Sequence, residues 1–105
     1  MIKIPENKQK KFWELIPYTK KMVDVDVGRD GKVWACDVSG RILYRTGISK
    51  KDVNGVKWVD RSNGARCSKI TVCTSGHVWM IGQDKKVYFR TGIKGKNLLG
   101  KGWSD

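Results

Sequence analysis

The sequence repeats itself at an interval of 45 residues. Five tryptophans mark the interval in two series, one of Trp13, Trp58 and Trp103 and one of Trp34 and Trp79. Aligning residues 13–58 with residues 58–103 requires no gap and gives 12 identical pairs among 46, many of them Trp or Gly. That concentration is far above chance, so the chain is a two-fold duplication of one structural unit.

Each unit reads as short strands separated by turns. Residues 22–27 alternate apolar and acidic side chains, the period of a half-buried strand, and Asp30-Gly31 then supplies a tight turn. We predict strands over residues 13–16, 22–27, 33–36 and 42–45 and from Trp58 in the first unit, and over residues 69–72, 78–81 and 87–90 and from Trp103 in the second. The predicted fold class is all-β.

Four strands in about 45 residues make one blade of a β-propeller. We therefore divide the chain into a basic N-terminal segment 1–11, a first repeat 12–58 and a second repeat 59–105. Two blades do not close a ring, because propellers contain about four to eight of them. We expect two four-stranded blades per chain and a six-bladed propeller completed by homotrimerisation.

The ordered motifs of each unit resemble the tectonin repeat of fish-egg lectins, tachylectins and tectonins. The residues that carry the resemblance are WELIP at 13–17, VDVG at 25–28, GKVW at 31–34, YRTGI at 44–48 and GVKW at 55–58. The resemblance covers roughly residues 12–105. It implies a propeller and a carbohydrate-binding protein, or lectin, that recognises cell-surface glycan or lipopolysaccharide through repeated loop sites.

The candidate ligand-binding residues recur at equivalent places in the two units: Trp13, Trp58, Trp103, Tyr44, Arg45, Phe89 and Arg90. An indole face covers the apolar side of a sugar ring, and a guanidinium offers a rigid fork of donors to carboxylates, phosphates or hydroxyls. Each of these side chains also has a structural alternative, in which it clamps a blade edge or ties down a strand end. Trp34 and Trp79 are expected to pack between adjacent blades.

The chain carries 22 Lys and Arg against 10 Asp and Glu, a formal net charge of +12. Such an excess favours polyanionic partners, including lipid A phosphates and nucleic acid. An alternative function is therefore a basic intracellular interaction module that binds an anionic polymer or a phosphoinositide surface. A structural propeller fragment is a further alternative. The sequence shows neither an apolar run of membrane-spanning length nor a leader, and it leaves the compartment open.

Enzymatic chemistry is not expected. The single His77 has no ligand or triad partner nearby, and the three cysteines form no CxxC pair, so we predict no catalytic residues, no cofactor and no metal. Buried reduced thiols are the expected state of the cysteines. Asp24 and Asp26 are expected to line a solvated channel.

Ring closure is expected to involve strand exchange. Residues 13–16 read as a complete outer strand, whereas the matching strand of the second unit has barely begun at Trp103. We therefore expect the N-terminal strand of one chain to pair with the second blade of its neighbour in the trimer.

Overall fold

The computed structural model of the chain describes residues 13–105, which form eight strands in two antiparallel sheets. The first sheet, blade 1, contains β1 Met22–Val27, β2 Val33–Asp37, β3 Ile42–Thr46 and β4 Lys57–Asp60. The second sheet, blade 2, contains β5 Cys67–Val72, β6 Val78–Gly82, β7 Val87–Thr91 and β8 Gly102–Ser104. Each strand pairs with the next along the chain. The predicted all-β fold with two four-stranded sheets is confirmed.

The two blades follow the sequence repeat strand by strand. Adding 45 to the bounds of β1, β2 and β3 gives the bounds of β5, β6 and β7. The irregular register at the start of β1, between Met22 and Asp24, recurs in β5 between Cys67 and Lys69. The duplication therefore preserves the backbone even where the side chains differ.

The expectation that the fourth strand of blade 2 has barely begun is wrong, and the predicted strand over residues 13–16 is not formed within the single chain. The fourth strand of blade 2 is formed, because β8 pairs with β7 from Gly102 to Ser104. Residues 13–16 form no strand. The equivalent residues 58–61 pair with β3 of blade 1. Residues 13–16 have no such partner, because no blade precedes them within the described part of the chain. The predicted segment 1–11 lies outside the described residues.

The hydrophobic core lies between the blades, where β1 and β2 pack against β5; we call this interface the seam. Its buried apolar residues come from both blades and are Trp34, Cys36, Ile42, Cys67, Ile70, Val78 and Met80. Trp34 thus packs between blades as predicted. Trp79 meets no further blade among residues 13–105 and is 44% exposed, so its packing between blades stays a prediction.

Two carboxylates of β1 accept hydrogen bonds from backbone amides of β5 across the seam. Asp24 accepts a hydrogen bond from the Ile70 amide at 2.8 Å, and Asp26 accepts one from the Val72 amide at 2.7 Å. Asp26 also accepts from the Thr71 hydroxyl at 3.2 Å. The expectation that both carboxylates line a solvated channel is wrong, because they bind backbone amides of β5. These amides pair with no strand among residues 13–105.

The buried cysteines also meet at the seam. Cys36 and Cys67 are buried and reduced, as predicted, and Cys73 is half-buried and reduced. A hydrogen bond to Cys36, together with burial, raises the pKa of the Cys67 thiol, so it stays protonated at neutral pH. The two thiols therefore behave as small apolar core residues.

The carboxylate of Asp26 gives the seam a defined pH dependence. The Val72 amide lowers the pKa of Asp26 below its usual 3.8, so its contribution to folding is present above about pH 4 and is lost as the pH falls through the folded value. We expect Asp26→Asn to reduce the free energy of unfolding at pH 7 by about 1 kcal/mol, because the asparagine oxygen still accepts the amide hydrogen bond but without the charge that strengthens it. Urea denaturation at pH 7 and at about pH 2 measures the difference, which should vanish in acid.

The matched control is Asp52→Asn, which removes the same charge from an exposed loop residue. Equal destabilisation by both variants at pH 7 would contradict a role for Asp26 in the seam.

Candidate functional site

An arginine at the end of the third strand of each blade runs beneath the loop that follows it. The Arg45 Nε donates to the Asn54 carbonyl at 2.9 Å, and the Arg90 Nε donates to the Leu99 carbonyl at 2.8 Å. The next residue is glycine in both loops, at φ values of +74°. A Cβ at Gly100 would lie 2.5 Å from the Thr91 carbonyl oxygen, so only glycine lets the loop close over the arginine.

In blade 2 this arginine is a packing residue of the seam. The Arg90 guanidinium lies 5.6 Å from the ring centre of Trp34 and 5.1 Å from that of Trp103. Its Nη1 donates to the Arg61 carbonyl at 3.1 Å and to the Asn63 side-chain oxygen at 2.6 Å. Burial, with a smaller effect of Arg61, lowers the pKa of Arg90 to about 10, so it stays charged at neutral pH.

Trp103 is fixed by the same arrangement. Its Nε1 donates to the Arg61 carbonyl at 3.0 Å, and its ring meets Trp34 edge-on at 6.1 Å. Arg90 is only 4% exposed. Both residues therefore hold the blades together, and the guanidinium that was predicted to bind ligand has its Nε and Nη1 bound to protein oxygens.

The equivalent position in blade 1 is incomplete. Arg45 lies 5.2 Å from the ring centre of Trp58, but no counterpart of Trp34 covers it among residues 13–105. The Trp58 Nε1 is buried without a hydrogen-bond partner in that part of the chain. Its counterpart in blade 2, the Trp103 Nε1, donates to the carbonyl of Arg61, which directly follows β4. The residue equivalent to Arg61 in the first repeat is Ile16, which follows no strand. Open clefts of about 540 and 210 Å³ flank Arg45 and Trp58.

The other predicted site residues are dispersed. Tyr44 is half-buried and packs against Trp34 with ring centres 5.3 Å apart. Phe89 is exposed and packs against Trp79 at 5.9 Å. Trp13 is exposed and lies outside both sheets. The seven residues named from the sequence thus do not converge on one cleft.

A different cleft, of about 450 Å³, opens beside Trp103. We call it the crossover cleft, because its floor is the connection from blade 1 to blade 2. Aromatic and polar side chains line it: Asn63, Arg66, Gln83, Asp84, Tyr88 and Trp103. The connection turns sharply there, with Asn63 and Gly64 both in the left-handed region of backbone conformation.

The side chains of the crossover cleft are partly ordered by one another. The Tyr88 hydroxyl donates to the Asp84 carboxylate, which also accepts from the Lys86 amide at 3.0 Å. These bonds lower the pKa of Asp84 and raise that of Tyr88. Arg66 and Gln83 are exposed at the rim. The sequence analysis did not single out Arg66, Gln83 or Asp84, because different residues stand at the equivalent places in the first repeat and all three lie outside the strands.

Two further features bear on function. Among residues 13–105, no helix is long and apolar enough to cross a membrane, and no three metal-binding side chains lie close together. Several loop lysines, such as Lys50, Lys85 and Lys96, are exposed and add to the positive charge of the surface.

Comparison with known proteins agrees with the architecture. A family model described as a propeller, Hyd_WA, matches residues 32–59 and 72–104, which together make up more than half of the chain. The two matched stretches fall in blade 1 and blade 2 respectively. No curated protein is significantly similar to the chain.

The unequal surroundings of the two arginines predict unequal effects of the same substitution. Arg90→Met removes three hydrogen bonds, to the Leu99 and Arg61 carbonyls and the Asn63 side chain, and should lower the free energy of unfolding by about 2–3 kcal/mol. Arg45→Met removes one such hydrogen bond and should cost about 1 kcal/mol. Urea denaturation of both variants in dilute solution makes the comparison. Losses of equal size would show that the contacts of Arg90 across the seam contribute nothing.

Proposed function

Because the chain belongs to the Hyd_WA propeller family, the family of tectonin-like propeller domains, we propose that it is a non-enzymatic carbohydrate-binding protein. Its ligand is a cell-surface glycan or lipopolysaccharide. The observation that carries the proposal is the crossover cleft, which combines an aromatic wall with amide, carboxylate and guanidinium groups at its rim.

The chemistry of this cleft suits a sugar. Trp103 and Tyr88 offer apolar surface to the C–H groups of a pyranose, while Asn63, Gln83 and Asp84 offer donors and acceptors to its hydroxyls. Arg66 adds a cation for a sugar carboxylate or phosphate, such as those of lipopolysaccharide. A volume of about 450 Å³ is within the usual range for small-ligand sites.

The polar lining of this cleft occurs once in the described chain rather than once per blade. The blade 1 equivalents of Asn63, Gln83 and Asp84 are Tyr18, Val38 and Ser39. Tyr18 lines the cleft of about 540 Å³ beside Trp58, and its hydroxyl donates to the Asp37 carboxylate at 2.7 Å. Several identical sites therefore require several copies of the chain.

We propose that three copies form a six-bladed ring and present three identical clefts. Several weak sites acting together raise the overall affinity by roughly 10²–10⁴ when a glycan surface engages them at once. Strand exchange by residues 13–16 remains a prediction, but β8 already lies against β7, where that strand was expected to pair.

A second candidate function rests on the net charge of +12. Exposed lysines attract an anionic polymer or phosphoinositide surface without a shaped cleft, and such binding falls steeply as salt rises. Sugar recognition through short hydrogen bonds and aromatic contacts depends much less on salt. The two candidates therefore differ in an observable way.

The test compares two variants that remove the same charge. Arg66→Ala together with Gln83→Ala strips the rim of the cleft, whereas Lys86→Ala together with Gln83→Ala keeps Arg66 and removes a nearby exposed lysine instead. We expect the first pair to lower binding on a glycan array and in a lipopolysaccharide pull-down by at least about tenfold relative to the second, since each lost hydrogen bond to a charged group is worth about 1.5–3 kcal/mol.

Binding that falls equally in both double variants, and that disappears at moderate salt, would support the charge-driven alternative. Arrays and pull-downs that stay blank with the unsubstituted chain at low salt would remove the lectin proposal altogether.

A further inference from the structure

Blade 2 carries an apolar face that no other described residue covers. We call it the open face of blade 2 and define it by Trp79, Ile81, Val87 and Phe89. These four side chains are 44%, 39%, 54% and 41% exposed, and a depression of about 590 Å³ lies along three of them. A surface of this kind marks a binding site for an apolar partner.

The repeat identifies what such a face is built to contact. The residues 45 positions earlier are Trp34, Cys36, Ile42 and Tyr44, which form the blade 1 side of the seam. Even the aromatic pair has the same arrangement, since Trp79 and Phe89 lie 5.9 Å apart and Trp34 and Tyr44 lie 5.3 Å apart. The open face of blade 2 is therefore a second blade-binding surface, with its partner missing.

Blade 1 carries the complementary surface. On blade 2 the seam is completed by Ile70, Val72, Val78 and Trp103. Their equivalents are Val25, Val27, Val33 and Trp58, which we call the open face of blade 1. Val25 is 57% exposed where Ile70 is 5% exposed. Each chain thus presents both halves of one interface, at opposite ends of its blade pair.

We propose that the open face of blade 2 binds the open face of blade 1 of a second copy of this chain, head to tail. In this junction Trp79 of one copy lies over Arg45 of the next, as Trp34 lies over Arg90 within the chain. Arg45 thereby gains the second aromatic ring that blade 1 lacks, which strengthens its cation–π contacts by excluding water.

A second copy is the occupant that the observations favour. The two faces match because both derive from one repeat, and the same contact is already made inside the chain. A head-to-tail contact closes into a ring when its rotation allows, so this inference deepens the proposed ring by naming its interface. The interface itself does not depend on sugar binding or on a count of three.

The junction between copies differs from the seam in one respect. Lys69 and Thr71 stand in blade 2 where Asp24 and Asp26 stand in blade 1. Lysine does not accept a hydrogen bond, so the amide of Val25 in the next copy gains no equivalent of the Asp24 contact. Each copy also carries a net charge of +12, which opposes association at low salt. Assembly should therefore be reversible, and it should strengthen as salt screens the charge.

Two variants and their mixture test the head-to-tail geometry by sedimentation equilibrium. Trp79→Asp disables the open face of blade 2, and Val25→Asp disables the open face of blade 1. Each variant alone should be a folded monomer of 11.9 kDa, because both side chains are exposed and their replacement leaves the seam intact. An equimolar mixture should form a heterodimer, since the unchanged open face of blade 1 on the first variant binds the unchanged open face of blade 2 on the second. The control Val38→Asp adds the same charge at an equally exposed turn residue and should assemble like the unsubstituted chain.

A gain-of-function variant completes the test. Lys69→Asp supplies to the junction the carboxylate that Asp24 supplies to the seam, and it should tighten association by about tenfold, as one added charge-assisted hydrogen bond would. An unsubstituted chain that stays monomeric at high concentration and high salt would overturn the inference. So would oligomers that survive Trp79→Asp, or a variant mixture that stays monomeric.

The two proposals fail separately. A monomer that still binds glycan through the crossover cleft overturns only the interface, and an assembly through these faces without glycan binding overturns only the proposed function.

Discussion

The structure depends on one buried cation that contacts two tryptophans. Arg90 lies against Trp34 of blade 1 and Trp103 of blade 2, and it binds the connection between the blades through the Arg61 carbonyl. A sheet with one apolar face is not stable alone in water, and here the second sheet covers it. The arginine adds directional contacts to this packing, since its planar donors bind the Leu99 carbonyl of blade 2 and the Arg61 carbonyl of the connection.

The repeat made most of this fold predictable from the sequence. Period-two alternation located β1, and the 45-residue offset then located β5 without a separate argument. The outer strands were harder, because β8 is only three residues long and its formation depends on pairing with β7 rather than on its own pattern. The role of Asp24 and Asp26 was not predictable either. A half-buried strand with acidic side chains looks the same whether those side chains face water or the amides of a neighbouring blade.

The candidate site was harder to locate from the sequence for a related reason. Residues that recur in both units, such as Arg45 and Arg90, were taken as repeated ligand contacts. In a duplicated fold, however, recurrence first reflects what every blade needs in order to pack. Arg66 and Gln83 are not repeated in the first unit, where Lys21 and Val38 stand at the equivalent places. Both lie between strands, where the backbone constrains the side chain little. Such positions are free to vary with a ligand, and sequence alone does not distinguish them from solvated loops.

Because the crossover cleft lies within one chain, the affinity of a single proposed site does not depend on how many sites an assembly presents. Its walls come from the connection between the blades and from blade 2, so they are held by the seam inside a single chain. That seam has the two carboxylate contacts of β1, whereas the open faces of the same chain have Lys69 and Thr71 in their place. In the proposed lectin, each copy would hold its binding site through the seam, and the proposed association through the open faces would change only the number of sites presented together. Since avidity grows with that number, we expect protein concentration and salt to alter the strength of surface binding without altering the site itself.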